Sequence, residues 1–169
     1  MSKGYRLMLK YLNYQVYTNE IPDELSLGLT ILGCNVHCPE CHSKHVWDIN
    51  SEYKGINLSW YELDDIIKSQ RGITCVLFFG GEWEPEYLTD LLRNIKKTTY
   101  LKTALYTGRS LDFMDNLHKE YHLYNYLDYL KVGPYIPEAG PIICPKTNQR
   151  LFKLKPQIIK YDITEKFWG

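Results

Sequence analysis

The sequence predicts an α/β protein built on a parallel β-sheet, and three observations support this fold class. Apolar segments of strand length alternate with segments of helical periodicity along most of the chain. Glycine follows several of the apolar segments, as at Gly33, Gly80 and Gly133. The chain has 169 residues, whereas a complete eight-fold barrel takes about 250. We therefore expect an incomplete, open TIM-like β/α barrel of about five to six strands, in one domain over residues 1–169.

The predicted strands are apolar segments that are rich in β-branched or aromatic residues. Residues 5–12 form either a first strand or an N-terminal arm, which ends before Pro22. The strands of the parallel sheet are predicted at residues 25–32, 73–79, 101–106 and 129–132. Residues 150–154 and 158–161 are predicted as a closing pair of strands or extended segments.

Three helices are predicted between the strands. The first begins with the capping box Ser59-Trp60-Tyr61-Glu62 and ends near Gln70. The second begins at Pro85, which suits a first helical position, and the third covers residues 111–121. The apolar stripes of the first two helices consist of Trp60, Leu63, Ile66 and Ile67, and of Leu88, Leu91, Leu92 and Ile95. Residues 134–146 contain four prolines and are expected to be irregular.

Composition and charge exclude several classes of function. The 20 basic residues balance the 20 acidic ones, so we expect no nucleic-acid partner and no membrane-surface partner. The sequence shows neither the apolar core of a signal peptide nor a membrane span. Its five cysteines are clustered rather than spread, which favours a metal site in a reducing compartment over a disulfide framework. We therefore expect a cytoplasmic protein.

The segment directly after the second predicted strand is the strongest candidate for a metal site. Cys34, Cys38 and Cys41 follow one another with the spacing C-x3-C-x2-C. Thiolates this close in sequence can all face one metal centre. A structural zinc site or a closed cubane cluster takes four protein ligands, so three ligands leave a position open for a substrate.

Three other interpretations of this array exist. Cys38 and Cys41, with His42, match the C-x-x-C-H attachment motif of c-type haem. The pair also matches a thioredoxin-like redox motif, which leaves Cys34 unexplained. A histidine could complete a Cys3His zinc site, the candidates being His37, His42 and His45.

The remaining candidate residues also follow predicted strands. The loops at residues 34–41, 80–82, 107–109 and 133–135 each come directly after one. The carboxyl ends of parallel strands form the ligand-binding edge of α/β folds, so we expect these loops to converge. This convergence favours a substrate site over a structural zinc site. Cys75 lies within an apolar strand and is expected in the core, and Cys144 lies in the irregular loop.

The cysteine spacing resembles that of radical S-adenosylmethionine (SAM) enzymes. This resemblance implies a [4Fe–4S] cluster with three irons held by Cys34, Cys38 and Cys41, and with SAM on the fourth iron. Gly80, Gly81 and Glu82 resemble the GGE motif, which lines the site of the SAM amino group. Thr107 and Arg109 are candidates for the SAM ribose or carboxylate, although a hydroxyl after a strand often caps the next helix instead.

Six segments resemble the activating proteins of anaerobic (class III) ribonucleoside-triphosphate reductase. They are GCNVHCPECHSKHVW (33–47), TCVLFFGGEWEP (74–85), KTALYTGR (102–109), DYLKVGPYIPEAGP (128–141), TNQRLFKL (147–154) and DITEKFW (162–168). The resemblance implies a radical SAM fold, a [4Fe–4S] cluster and SAM, with no catalytic residue beyond the cofactor. It also implies a glycyl-radical reductase as partner and a flavodoxin- or ferredoxin-type reductant.

The chain resembles a divergent branch of this family. Commoner members have a glycine-rich segment where this chain has residues 19–23, a Gly at the position of Glu40, and an Asp at that of Val132. Two other enzyme functions fit the motifs: activation of a different glycyl-radical enzyme, and radical SAM chemistry on a free metabolite. A non-enzymatic iron–sulfur or zinc module is the alternative from another class.

The polar segment Asn148-Gln149-Arg150 has two interpretations. In the structural one, Asn148 and Gln149 hold the backbone of the proline-rich loop and Arg150 pairs with a nearby acid. In the functional one, the three residues contact SAM or the partner, with Arg150 as a bidentate donor.

Overall fold

One eight-stranded β-sheet forms the centre of the structure. The computed structural model describes residues 8–33, 55–155 and 159–169 of the chain. The strands are β1 (Lys10–Tyr17), β2 (Ser26–Ile31), β3 (Ile56–Asn57), β4 (Cys75–Phe79), β5 (Lys102–Tyr106), β6 (Tyr129–Val132), β7 (Arg150–Lys155) and β8 (Ile159–Asp162). The predicted strands from residue 25 onward are confirmed to within two residues at each end.

The strand order is β3-β1-β2-β4-β5-β6-β7-β8. The pairs β2–β4, β4–β5 and β5–β6 are parallel. The remaining pairs, which flank this parallel core on both sides, are antiparallel. Because β3 and β8 lie at opposite ends of the order, the sheet is open. The α/β class and the open sheet are thus confirmed, whereas the prediction of five to six strands was too low by two to three strands.

The first strand lies further along the chain than predicted. The sequence suggested a strand or an arm over residues 5–12, but β1 covers Lys10–Tyr17, and residues 1–7 lie outside the described part of the chain. Four consecutive residues of β1, 13–16, are exposed. A strand with few buried residues does not show the alternation of apolar and polar residues from which strands are predicted, so the hydrophobic pattern did not mark the bounds of β1.

Three α-helices connect the parallel strands, at the positions that the sequence predicted. They are α1 (Trp60–Ser69), α2 (Pro85–Thr98) and α3 (Leu111–Tyr121). The Ser59 side chain accepts a hydrogen bond from the Glu62 amide at 3.1 Å, as the capping box requires. The Glu62 carboxylate accepts from the Tyr11 hydroxyl at 2.5 Å rather than from the Ser59 amide, and so joins α1 to β1. Short 3₁₀ helices, Leu123–Tyr126 and Thr164–Phe167, were not predicted.

The two faces of the sheet are buried in different ways. On the outer face, the apolar stripes of the helices pack on strand residues such as Leu29, Phe78 and Leu105. The inner face carries Leu77, Ala104, Tyr106, Tyr129 and Leu151, which pack on Ile21, Ile142 and Phe167 rather than on an α-helix. The connection between β1 and β2, the loop after β6 and the C-terminal segment therefore cover part of the inner face.

The amino ends of the parallel strands are held together by one buried carboxylate, Glu24. Its Oε1 accepts hydrogen bonds from Lys102 Nζ at 2.6 Å and from the Tyr129 hydroxyl at 2.9 Å. Its Oε2 accepts from the Thr74 hydroxyl at 2.5 Å. We call these four side chains the Glu24 network. Burial alone would raise the pKa of Glu24, but the hydrogen bonds from Lys102, Thr74 and Tyr129 outweigh burial and lower it.

Residues 134–149, between β6 and β7, contain neither helix nor strand, as expected from their prolines. Turn hydrogen bonds organise the segment instead, such as those from the Gly140 amide to the Ile136 carbonyl and from the Cys144 amide to the Pro141 carbonyl. Among the described elements, no helix has the length and apolar character needed to cross a membrane.

Candidate functional site

Three of the predicted site loops lie side by side at the carboxyl edge of the parallel strands. The Gly80 amide donates to the Tyr106 carbonyl at 3.0 Å, and the Thr107 amide donates to the Lys131 carbonyl at 2.9 Å. The Gly133 amide donates to the Arg109 carbonyl at 2.9 Å. Backbone hydrogen bonds thus continue past the ends of β4, β5 and β6 and join the loops at residues 80–82, 107–109 and 133–135.

The loop after β4 is built around two glycines with left-handed backbone. The φ angles are +96° at Gly80 and +114° at Gly81, a region that other residues rarely adopt. A Cβ at Gly80 would lie 2.6 Å from Cη2 of the Trp83 indole, and one at Gly81 would lie 3.3 Å from Leu9 Cδ1. Larger residues would therefore strain this loop at both positions. Because glycine has no side chain, a ligand can approach the backbone of Gly80 and Gly81 closely.

Glu82 is the most unusual residue of the site, because its carboxylate is buried and forms no ion pair with residues 8–33, 55–155 or 159–169. The residue is only 2% exposed, and within the described part of the chain neither carboxylate oxygen has a hydrogen-bond partner of normal geometry. Burial raises the pKa of Glu82, and the Thr107 hydroxyl and the Arg109 guanidinium nearby oppose this only in part. A buried acid without such partners costs free energy that a cationic ligand would recover.

Thr107 and Arg109 form a tight turn directly after β5. The Thr107 hydroxyl accepts a hydrogen bond from the Arg109 amide at 3.0 Å. The N-cap of α3 is Ser110, which accepts from the Phe113 amide at 3.2 Å, so Thr107 does not cap the helix. The Arg109 guanidinium lies over the Phe113 ring, 4.6 Å from its centroid. Thr107 and Arg109 are thus placed next to Glu82 and are oriented by local contacts.

Below the loops, the last inward-facing residues of β4, β5 and β6 form a floor. The rings of Phe79 and Tyr106 meet edge to face with 5.5 Å between their centroids. Lys131 Nζ lies 4.4 Å from the centroid of the Tyr106 ring, and burial lowers the pKa of Lys131. Sequence reasoning missed Lys131, although strand alternation places it on the inner face, opposite to Leu130 and Val132.

The predicted metal ligands Cys34, Cys38 and Cys41 lie outside the described residues, as do His37, His42 and His45. The structure shows where their segment begins: β2 pairs in parallel with β4, and Gly33 follows it with a φ of +104°. The described chain before this segment therefore ends at Gly33, at the same edge of the sheet as the loop at residues 80–82. Within residues 8–33, 55–155 and 159–169, no three His, Cys, Asp or Glu side chains form a group that could hold a metal ion.

The comparison with known protein families identifies this segment as part of an iron–sulfur domain. The family model described as a 4Fe-4S single cluster domain matches residues 25–150, which is more than half of the chain. The chain belongs to this family. No curated protein matches the chain.

Membership in the 4Fe-4S single cluster domain family supports a [4Fe–4S] cluster as the cofactor, which is the cofactor predicted from the sequence. The donor chemistry fits, because thiolates are the usual ligands of such clusters and residues 34–41 contain three cysteines. The other cysteines are less suitable. Cys75 is buried on the inner face, and burial raises the pKa of its thiol to about 12. Cys144 packs against Gly140 in the loop after β6.

Asn148, Gln149 and Arg150, at the end of the family match, make the contacts expected from the structural interpretation. Asn148 Nδ2 donates to the Pro134 carbonyl at 3.0 Å, and Gln149 Nε2 donates to the Gly133 carbonyl at 3.3 Å. Both hydrogen bonds join the end of the loop after β6 to its beginning. Arg150 Nε lies 3.9 Å from Asp162 Oδ2 on the neighbouring strand β8. A direct role of these residues in binding SAM or a partner stays a prediction.

The variant Arg150→Lys separates the two interpretations. Both side chains of the Arg150–Asp162 pair are at least 40% exposed, and such pairs contribute about 0–1 kcal/mol. We expect thermal unfolding, iron content and glycyl-radical yield on the reductase to equal those of the parent protein. A lower radical yield with an intact cluster would contradict this and show a functional contact. SAM cleavage without the partner would then assign the contact: a lower rate indicates SAM, and an unchanged rate indicates the partner.

Proposed function

We propose that this iron–sulfur protein is a radical SAM activase that generates the glycyl radical of anaerobic ribonucleoside-triphosphate reductase. The observation that carries the proposal is Glu82, a buried carboxylate without a hydrogen-bond partner among the described residues, in a two-glycine loop at the sheet edge. Gly33, which directly precedes the cysteine segment in the chain, lies at this same edge. SAM binding requires a cluster with an open position. It also requires a nearby acid that accepts hydrogen bonds from the SAM amino group.

Each residue of the site has a defined role in this proposal. Cys34, Cys38 and Cys41 would hold the cluster and would leave one of its irons open to SAM. Glu82 would accept hydrogen bonds from the N–H groups of the SAM amino group, and the backbone carbonyls of Gly80 and Gly81 would line the same position. Because this position is shielded from water, the charge interaction is stronger there than it would be in solvent.

When bound, the cluster would supply the one electron that cleaves SAM to methionine and a carbon radical, and this chain would hold SAM so that the radical can take a hydrogen atom from a glycine Cα of the reductase. The electron comes from a flavodoxin- or ferredoxin-type reductant. The protein positions SAM and excludes water and oxygen from it. The open sheet supports access for a partner, because its two ends, β3 and β8, do not pair to close the site.

The variant Glu82→Gln tests the proposal, with Glu84→Gln as its matched control. Glu84 lies in the same loop but makes no side-chain capping bond to α2. The experiment uses anaerobically reconstituted, reduced protein and measures 5′-deoxyadenosine. A hydrogen bond to a charged group is worth about 1.5–3 kcal/mol, so we expect cleavage at subsaturating SAM to fall about tenfold or more in Glu82→Gln. Iron content should be unchanged, and Glu84→Gln should behave like the parent protein.

Two results would contradict the proposal at different levels. If the parent protein with a complete cluster forms no 5′-deoxyadenosine, it is not a radical SAM enzyme. If it cleaves SAM but forms no glycyl radical on the reductase, as measured by EPR, then the partner is a different glycyl-radical enzyme or the substrate is a free metabolite.

A further inference from the structure

Trp83 follows Glu82 directly, and its indole N–H is a second buried polar group without a partner. The Nε1 atom is inaccessible to solvent and makes no hydrogen bond within the part of the chain that the structure describes. Together, Glu82 and Trp83 contribute three such atoms to one short loop. Most buried polar groups in native proteins are paired, so each exception needs an explanation.

The indole ring of Trp83 lies against Gly80, in space that a side chain at position 80 would fill. Its six-membered ring lies so close to Gly80 that a Cβ there would be 2.6 Å from Cη2 and 3.0 Å from Cζ3. The ring also packs against the hydrophobic core beneath the helices. Trp83 is therefore held in place, and its N–H group cannot find a partner simply by rotating into solvent.

Trp168 shows how the same group is satisfied elsewhere in the molecule. Its Nε1 donates to the Ile142 carbonyl at 3.0 Å, which joins the C-terminal segment to the loop after β6. The two indoles therefore differ in a way that can be tested. Trp168 has an internal acceptor, whereas the acceptor for Trp83 is missing from the described protein.

We propose that Trp83 is a specificity-determining residue, whose indole N–H donates a hydrogen bond to the α-carboxylate of the methionine end of SAM. This inference rests on the proposed function. The chemistry of the two neighbours is complementary: ionised Glu82 can only accept hydrogen bonds, and the indole N–H can only donate. An α-amino acid presents an ammonium donor and a carboxylate acceptor on one carbon atom. Adjacent residues of one loop thus match both groups.

The test compares Trp83→Phe with Trp168→Phe in anaerobically reconstituted protein. SAM affinity is measured by equilibrium dialysis, and stability by thermal unfolding. Trp83→Phe is expected to weaken SAM binding about tenfold or more, because a hydrogen bond to a charged group is lost. Its melting temperature should fall only by the packing lost with the smaller ring, since no internal hydrogen bond is broken. Trp168→Phe, which loses an internal hydrogen bond, should have a lower melting temperature and unchanged SAM affinity.

A second probe identifies the group that Trp83 binds. Decarboxylated SAM lacks the carboxylate, so the parent protein and Trp83→Phe should bind it with equal affinity. If Trp83→Phe instead weakens the binding of both compounds equally, or of neither, the proposal is wrong. If the phenylalanine variant does not fold, benzothienylalanine at position 83 keeps the bicyclic shape and removes only the N–H group, with the same expectations.

The outcomes also separate this inference from the proposed function. A parent protein that binds and cleaves SAM, with a Trp83→Phe variant of equal SAM affinity, overturns the inference alone. A cluster-containing parent protein that does not bind SAM overturns both.

Discussion

Replacing Cys34, Cys38 or Cys41 by serine is expected to abolish the iron–sulfur cluster, whereas Cys75→Ala and Cys144→Ala should retain it. The parent protein should hold about four irons and four sulfides per chain after anaerobic reconstitution. Thiolate ligands bind the irons directly, and a serine hydroxyl is a poor substitute at neutral pH. Iron and sulfide analysis, with the visible absorption spectrum, measures the result.

The two alanine variants are the controls for this experiment, because they remove the thiols whose environments are described. Cys75 is buried among apolar side chains of the inner face, and its raised pKa keeps it a neutral thiol at pH 7. Loss of the cluster in Cys75→Ala or Cys144→Ala, with the fold retained, would show that the ligand set is wrong. Zinc in place of iron after anaerobic isolation would contradict the cluster itself.

Glu24→Ala is expected to destabilise the fold more than any other single change of a charged residue described here. It removes the carboxylate that accepts hydrogen bonds from Lys102, Thr74 and Tyr129 in the Glu24 network. The amino ends of β4, β5 and β6 are then no longer joined through one side chain. Leaving such donors without an acceptor costs about 2–4 kcal/mol in total, with the half-exposed Lys102 contributing least. For a domain of this size the melting temperature should fall by about 5–15 °C.

Lys68→Ala is the matched control for Glu24→Ala. Lys68 also forms a short ion pair, with Asp64 at 2.5 Å, but its side chain is 71% exposed. Water replaces such a pair at little cost, so the melting temperature should be unchanged. Equal effects of the two substitutions would show that burial of the Glu24 network does not contribute to stability.

The Glu24 network also predicts a pH dependence. The pKa of Glu24 is lower in the folded protein than the ordinary value of 4.5, so the folded state prefers the ionised form. Its contribution to stability is therefore present above about pH 4.5 and is lost as the pH falls through the folded pKa. Unfolding of the parent protein should become more favourable on acidification, and Glu24→Gln should show a smaller change. Identical pH profiles would contradict this assignment.

The elements with local sequence signals were predicted well. The helix α1 has a capping box at Ser59, and α2 has Pro85 at its first position, so their ends are marked by chemistry within a few residues. The parallel strands are buried on both faces and read as continuous apolar runs. The strand β1 carries no such signal because half of its residues, 13–16, face solvent.

The composition of the site could be predicted only in part. The loops at residues 80–82 and 107–109 were found because each follows a buried strand, a relation that sequence alone reveals. The sequence could not show that the Glu82 carboxylate and the Trp83 N–H are buried without partners, because burial depends on residues distant in the chain. Lys131 was missed for the same reason, since its environment is made by Tyr106 of the neighbouring strand.

The order of the strands has a consequence for how the protein forms during synthesis. From β5 to β8, each strand pairs with the one that precedes it in the chain. Nascent chains fold from the N-terminus as they emerge from the ribosome. The cysteine segment is therefore translated before the loops at residues 80–82, 107–109 and 133–135 are in place. We expect an interval in which Cys34, Cys38 and Cys41 are available to cluster-delivering proteins while the later loops have not yet been translated.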